Sequence, residues 1–404
     1  GHCDIIRYHS VPPERGTVTH EMMLRGVLVE ALDRMDNQRG DVSREEFVRR
    51  ALYSRLWPER PQDQLPFGAE PVTVFGELPF TFIDLFAGIG GFRCALTAIG
   101  GRCVYSSEWD KFAERTYRHW FDDENVDQRD FTKIDHSKIP SHDIMAAGFP
   151  CQPFSLAGVS KKRSLGRADG FDDPDQGHLF KAICDAIDAK KPPVVFLENV
   201  KNLKSHDKGR TWEIIRENLE ERGYHVFHDV IDARAWVPQH RERVFIVCFR
   251  RDIFGSDKNR IGFRFPTPPT ETPRFGDILE PEPDKKYMLS TRLWNYLQAY
   301  AAKHRAKGNG FGYGIADPNG VSRTMSARYH KDGSEILIDQ KGWENPRRLT
   351  PSEAALLMGF DKSYAALYDH ADGFPQVVSD TQAYRQFGNS VSPKVVEAVA
   401  RKII

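Results

Sequence analysis

Thr81-Phe82-Ile83-Asp84-Leu85-Phe86-Ala87-Gly88-Ile89-Gly90-Gly91-Phe92 is the stretch on which the fold turns. β-Branched and aromatic residues fill its first half and glycines its second, and a helix-like run follows from Phe92 to Ile99. Strand, glycine turn and helix in that order open a Rossmann-like βαβ unit. Glycine lets the backbone approach a ligand because no Cβ stands in the way. The spacing is G-x-G-G, not the dinucleotide fingerprint G-x-G-x-x-G, so the turn alone also suits simple packing of helix on strand.

Working outward, Cys103-Val104-Tyr105-Ser106-Ser107 reads as the second strand and delivers Glu108 twenty residues beyond Gly88. An acid at that offset suits a ribose diol. Trp109 offers an aromatic face for an adenine ring, although the pair alone could equally be a surface Glu beside a half-buried Trp. With the glycine loop upstream and Asp130-Phe131 downstream, an adenosine-bearing ligand is the better account.

Three further stretches carry chemistry. Asp143-Ile144-Met145-Ala146-Ala147 reads as a short buried strand, and it runs into Gly148-Phe149-Pro150-Cys151-Gln152-Pro153-Phe154-Ser155. A structural cysteine usually sits inside an apolar run. Cys151 stands at a loop mouth, where a thiolate could reach a ligand. Pro193-Val194-Val195-Phe196-Leu197-Glu198-Asn199-Val200 closes an apolar strand with a carboxylate and an amide, at the strand end where doubly wound sheets bind ligands. An acid near such surroundings tends to have a raised pKa and can hold or donate a proton. The charged head of Val237-Pro238-Gln239-His240-Arg241-Glu242-Arg243-Val244 runs into another buried strand, which puts its arginines at the sheet edge facing the same cleft, unless they form a solvated strand end.

Together these residues resemble the cytosine-C5 DNA methyltransferases. The family's motifs occur in their usual order: F-I-D-L-F-A-G-x-G-G, the E-W pair, G-F-P-C-Q-P-F-S, E-N-V, Q-x-R-E-R, and Gln386-Phe387-Gly388-Asn389-Ser390-Val391. The resemblance covers roughly residues 80 to 404. The phrases Ser155-Leu-Ala-Gly-Val-Ser-Lys-Lys162, Glu198 to Asp207, and Gly308 to Gly314 look like the bacterial Dcm-type subgroup. The fold so implied is α/β: a Rossmann-like S-adenosylmethionine-dependent methyltransferase domain with a smaller target-recognition domain and an N-terminal helical extension. The expected boundaries are 1–76 for the extension and linker, 77–250 for the catalytic domain, 251–346 for target recognition, and 347–404 for the return to the catalytic domain.

The resemblance assigns roles. Cys151 adds to C6 of cytosine, which makes the ring an enamine able to take a methyl group at C5. Glu198 serves N3, Arg243 holds O2, and Arg241 lies close to the nucleophile and its phosphate surroundings. Phe86, Gly88, Ile89, Gly90 and Gly91 line S-adenosyl-L-methionine, and S-adenosyl-L-homocysteine is its product. Glu108 takes the ribose, Trp109 and Asp130 the adenine and Asn389 the methionine end, and Phe131, Pro150 and Ser390 complete the cofactor site. No metal is expected.

A base inside a duplex must be flipped out to reach such a cleft. The segment from Ser155 to Gly177, with glycines among Lys161, Lys162, Arg163 and Arg167, reads as a lid that grips phosphates as it closes. An ordinary solvated loop is the plainer alternative. Gln152 and Ser155 are expected at the DNA. Between Arg243 and Arg347 lies a stretch of different character: Phe265-Pro-Thr-Pro-Pro-Thr-Glu-Thr-Pro273, a helical run near Thr291 to Arg305, then a glycine-rich patch. Within it Arg323, Arg328, Tyr329, His330 and Lys331 are candidate base contacts, since arginine can pair bidentately with guanine. A β-rich insertion whose charges are merely solvated would account for most residues there. Dcm-type likeness implies a CC(A/T)GG-like site methylated at the inner cytosine.

Composition bounds the rest. In 404 residues, 57 basic and 57 acidic side chains cancel, so nucleic-acid binding must rest on local clusters. Six cysteines without C-x-x-C spacing argue against structural zinc and against a secreted disulfide framework. No apolar stretch reaches spanning length and no signal peptide is visible, so the expectation is a cytoplasmic bacterial protein, nucleoid-associated when bound to DNA. Double-stranded DNA is the expected partner of a monomer with no obligatory protein partner and no membrane. Glu21 to Leu32 and Ser43 to Leu56 have helical apolar spacing, with Ser43 and Glu46 as a capping box, and Pro58 to Pro71 reads as a linker. Thr350 caps a helix with Pro351 at its first position, and a last helix from about Pro393 should pack beside the first βα unit.

Three other functions compete. A tRNA cytosine methyltransferase shares the catalytic motifs but usually has a shorter recognition insert. A nicotinamide dehydrogenase explains the glycine loop and Glu108 but leaves Cys151 and Glu198 idle. A catalytically silent DNA-binding regulator would not need the nucleophile.

Overall fold

The strand, turn and helix read from Thr81 to Ile99 are all present. Thr81–Leu85 forms β1, buried along its whole length, and Gly91–Ala98 forms α1. A computed structural model describes residues 80–149, 178–310, 312–370 and 372–404. The expected N-terminal helices and linker, the loop residues Pro150, Cys151, Gln152 and Ser155, and the lid with Lys161, Lys162 and Arg163 lie outside the described residues.

Arg102–Ser107 follows as β2, and Lys111–Phe121 as α2, whose first turn is capped by the Asp110 carboxylate accepting from the Phe112 and Ala113 N–H groups. Ile144–Gly148 is β3, His178–Lys190 α3, Val194–Val200 β4, and Arg210–Glu221 α4. Tyr224–Asp232 (β5) and Glu242–Arg250 (β6) complete one six-stranded sheet of order β2-β1-β3-β4-β6-β5. The apolar runs of β3 and β4 are those of parallel strands covered on both faces.

β6 is the buried strand expected, an interior one, antiparallel to both β4 and β5. The link from Asp232 to Glu242 is too short for a parallel crossover, so the chain must turn straight back. The head of β6 therefore arrives at the carboxyl ends of the parallel strands, with Val200 opposite Arg243.

One core lies between the sheet and α3 and α4, built on Ile83, Leu85, Met145, Ala147, Val195 and Leu197. On the other face Phe92 of α1 meets Phe196 edge-on at 5.1 Å. A second core joins Cys94, Tyr117 and Trp120 to Leu357, Tyr384 and Phe387, and takes in Phe275, Met325 and Tyr329 from the long interval. That interval contains the expected helix, Thr291–Ala306 (α5), capped by the Ser290 hydroxyl. Beyond β6 its other described residues form short helices, turns and isolated bridges rather than ladder strands, so they do not make a β-rich insertion. Pro266, Pro268, Pro269 and Pro273 have no N–H to give a ladder.

Pro351–Met358 (α6) starts with the expected capping box, in which the Thr350 and Glu353 side chains each accept from the other's backbone N–H. Glu353 also pairs with Arg347, both wholly buried, through two contacts of 2.8 Å. Glu353→Ala should cost about 3–5 kcal/mol by leaving a buried guanidinium unpaired. A urea midpoint equal to the parent's would contradict this. Asp380–Asn389 (α7) and Pro393–Ile403 (α8) close the domain, α8 lying along α1 as expected. No helix among the described residues is long and apolar enough to cross a membrane.

Candidate active site

Beyond β1 the chain turns through Phe86 and Gly88, at φ of +54° and +57°. The turn is pinned by Ala87 N–H donating to Ser107 O (2.9 Å) and Gly90 N–H to Ala87 O (2.8 Å). Glu108 spans it: one carboxylate oxygen accepts from Gly88 N–H and the other from Asp110 N–H, both at 2.7 Å. Burial raises the pKa of this acid, and the backbone donors oppose that rise. Each oxygen keeps a lone pair for a ligand hydroxyl. A Cβ at Gly88 would meet nothing within 4 Å, and Trp109 alongside is 69% exposed. This open rim with an aromatic plate and oriented carboxylate oxygens fits an adenosine-bearing cofactor.

Its neighbours divide. Phe86 rests edge-on against the buried Phe131 at 5.3 Å, so Phe131 backs the turn. The Asp130 carboxylate is held by Thr132 and Lys133. Ile89 is buried in the second core. At Gly90 and Gly91 the missing Cβ makes room for the protein's own atoms. A Cβ at Gly90 would overlap the Phe121 ring, and one at Gly91 would lie 2.6 Å from Val391 O. Asn389 is exposed at the end of α7, whereas Ser390 is buried with its hydroxyl turned to Val391 O.

At the other end of the cleft, β3 finishes at Gly148 directly opposite Glu198 of β4. A Cβ at Gly148 would lie 3.5 Å from Glu198 Oε2, so the acid is laid against the strand that leads to Cys151. Asn199 Nδ2 donates to Phe149 O (2.9 Å), fixing the backbone just ahead of Pro150 and Cys151 in the sequence. Arg243 Nε reaches Glu198 Oε1 at 3.1 Å, a contact created by the antiparallel course of β6. Burial raises the Glu198 pKa; the charges of Arg243 and Arg241 pull against it without cancelling it.

The family model for C-5 cytosine-specific DNA methylases matches residues 80–404. The chain belongs to that family. This DNA methylase is 47% identical to the DNA-cytosine methyltransferase of Escherichia coli (strain K12), over 80% of this chain and 77% of that protein. It is also 47% identical to the Type II methyltransferase M.SsoII of Shigella sonnei, over 80% of each chain. Among solved structures, the S. pombe Dnmt2 methyltransferase shares the fold with a TM-score of 0.61 at 18% identity, covering 80% of this chain and 98% of that one. The methylase is thus an enzyme acting at C5 of cytosine in DNA, and its family implies S-adenosylmethionine as methyl donor.

Two assignments on the methylase need correction. Arg241 is wholly buried, and its guanidinium donates to Met325 O (3.0 Å), Gly388 O (2.9 Å) and Ser390 O (2.6 Å). Spent on carbonyls inside the protein, it is not available to a phosphate. Tyr329 is wholly buried as well, its hydroxyl donating to Ile336 O and accepting from Leu349 N–H, so it is a core residue and not a base contact. Arg323, Arg328 and Lys331 are exposed, and His330 Nδ1 is taken up by Ala327 O.

Asp84 was not anticipated. It points from β1 into the face packed by α1 and α2, where Tyr117 donates to Oδ2 at 3.3 Å and Oδ1 has no hydrogen-bond partner. Burial pushes this carboxyl up to about 8. The fold therefore favours the neutral acid. That stabilisation is complete below about pH 4 and is lost as pH rises toward 8. Asp84→Asn should flatten the fall of Tm between pH 5 and 8; an unchanged slope would mean the group is not buried neutral. The only hint in the sequence is an acid inside the apolar run F-I-D-L-F.

Proposed function

We propose that this enzyme methylates one cytosine in a short duplex site by covalent catalysis, with Cys151 as nucleophile, Glu198 as acid and Arg243 as the group that holds O2. The observation that carries it is the Glu198–Arg243 pair beside Gly148, where the chain departs toward Cys151. Attack of the Cys151 thiolate on C6 forms an S–C bond and sends the C5–C6 π pair toward N3. A carboxyl that keeps its proton unusually well can protonate N3 as that charge arrives, and Arg243 beside it can donate to O2. The turn at Gly88, the Glu108 carboxylate and Trp109 would hold S-adenosylmethionine, whose sulfonium would supply the methyl group to the C5 carbanion-like position, its S–CH3 bond breaking to leave S-adenosylhomocysteine. Loss of the C5 proton then returns its electron pair to the C5–C6 bond and expels the Cys151 thiolate. The target base is flipped into the cleft, and the segment 155–177 acts as the lid.

Residues 251–346 read the site in this account, with Arg323, Arg328 and Lys331 as contacts and the enzyme working as a monomer. Likeness to Dcm-type enzymes supports a CC(A/T)GG-like site methylated at the inner cytosine. Bisulfite sequencing of plasmid DNA incubated with enzyme and cofactor tests this. Protection in one recurrent context establishes the site; a context other than CC(A/T)GG overturns that assignment but not the chemistry. No protected cytosine, with methyl transfer to tRNA instead, would overturn the DNA reading.

A further inference from the structure

Ser322 to Ala327 is gripped from two sides by parts of the catalytic domain. Ser322 N–H donates to Pro238 O, and Ser322 O accepts from His240 N–H, both at 2.9 Å. The Thr324 hydroxyl donates to His240 O at 2.5 Å. Met325 N–H donates to Gln239 Oε1 (2.9 Å), and Met325 O accepts from Arg241 Nη1 (3.0 Å). Gln239 is wholly buried and its amide also donates to Leu357 O (3.2 Å), which ties the grip to α6. The opposite wall is Gly388, where a Cβ would lie 2.3 Å from Ala327 N. Arg241 joins the walls, since its other nitrogen holds Gly388 O and Ser390 O.

Exposure along this run alternates. Ser322, Met325 and Tyr329 are buried, while Arg323 and Arg328 stand out in solvent. The two cations thus project from a backbone fixed before, between and behind them. Arg241, which holds this backbone, lies two residues from Arg243, which holds Glu198. One short stretch touches both the run with the exposed arginines and the catalytic acid.

We propose that this is a register joint: Gln239, Arg241 and Gly388 are positioning residues that set where Arg323 and Arg328 stand relative to the flipped-base pocket, and so decide which sequence is methylated. This rests on the reading of residues 322–331 as base-reading. A backbone ordered before DNA arrives loses little freedom on binding, so a wrong base cannot be accommodated by shifting the loop. A merely structural role would lower methylation alike in every context; a register role changes the ratio between contexts.

The experiment is bisulfite sequencing of one plasmid, comparing methylation at the cognate context with contexts differing by one base. Gly388→Ala, Gln239→Ala and Thr324→Val should each reduce that ratio, Gly388→Ala by about tenfold, the scale of one good base contact. Thr324→Val removes only one hydrogen bond and serves if Gly388→Ala does not fold. Arg323→Ala and Arg328→Ala are measured alongside. If an arginine variant changes the ratio while Gln239→Ala and Thr324→Val leave it as in the parent, the joint is overturned. If neither arginine variant changes it, the base-reading assignment itself fails, and the joint with it.

Discussion

Cys151→Ser is expected to abolish methyl transfer, by on the order of four to six decades, as when a covalent nucleophile is removed elsewhere. A serine hydroxyl is not ionised near neutral pH and needs a base to activate it. Glu198, the acid proposed for this cleft, is given the task of protonating N3 and not that of a base for a serine hydroxyl. Cofactor binding, assigned in the proposed function to the turn at Gly88, Glu108 and Trp109, should persist in the variant. Incorporation of labelled methyl together with calorimetric titration of S-adenosylmethionine separates these quantities. Transfer near the parent rate would sink covalent catalysis; loss of both would mean a collapsed domain.

Glu198→Gln should have the second largest effect, a fall in kcat of about 10²–10⁴, the usual range for removing a positioned acid. Glutamine keeps the outline and can donate a hydrogen bond, but it has no proton to yield to N3. The change also leaves the Arg243 guanidinium without its carboxylate at 3.1 Å. Because burial raises the Glu198 pKa, the protonated form persists to higher pH than in a solvated acid and is lost as pH climbs further. Parent activity should therefore fall along an alkaline limb that is missing from the variant. A Glu198→Gln enzyme with near-parent kcat and the same limb would remove Glu198 from the chemistry.

Local rules made part of the molecule legible in sequence. The strand and turn at Thr81–Gly91, the acid at Glu108, the Glu198-Asn199 strand end and the Thr350–Glu353 cap each depend on residues close together in the chain. Arg241 was legible as a residue near the cleft but not as a buried brace. Its partners are carbonyls 84 to 149 residues further along, and an arginine looks the same in sequence whether it faces water or three carbonyl oxygens. Tyr329 is the same case, a tyrosine read as a base contact whose hydroxyl is enclosed by Ile336 and Leu349. At Gly90 and Gly91 the sequence correctly shows that a side chain is not tolerated. What would collide with it, Phe121 and Val391, depends on packing. The direction of β6 was hidden too, since an apolar run has no arrow; only the short link from Asp232 to Glu242 bears on it.

The seating of α8 along α1, with Val391 against Gly91, has a consequence for how the protein is made. The glycine turn and Glu108 leave the ribosome long before α7 and α8 are translated. Until those helices arrive, α1 is covered by the sheet and by α2 but lacks its contact at Gly91 with Val391, and the neighbourhood of Asn389 does not exist. A nascent chain can therefore begin its sheet but cannot add α7 and α8, and a message broken before Asp380 is expected to yield an incompletely packed, inactive fragment. Methylating activity is therefore expected only once the late helices have closed over the early ones.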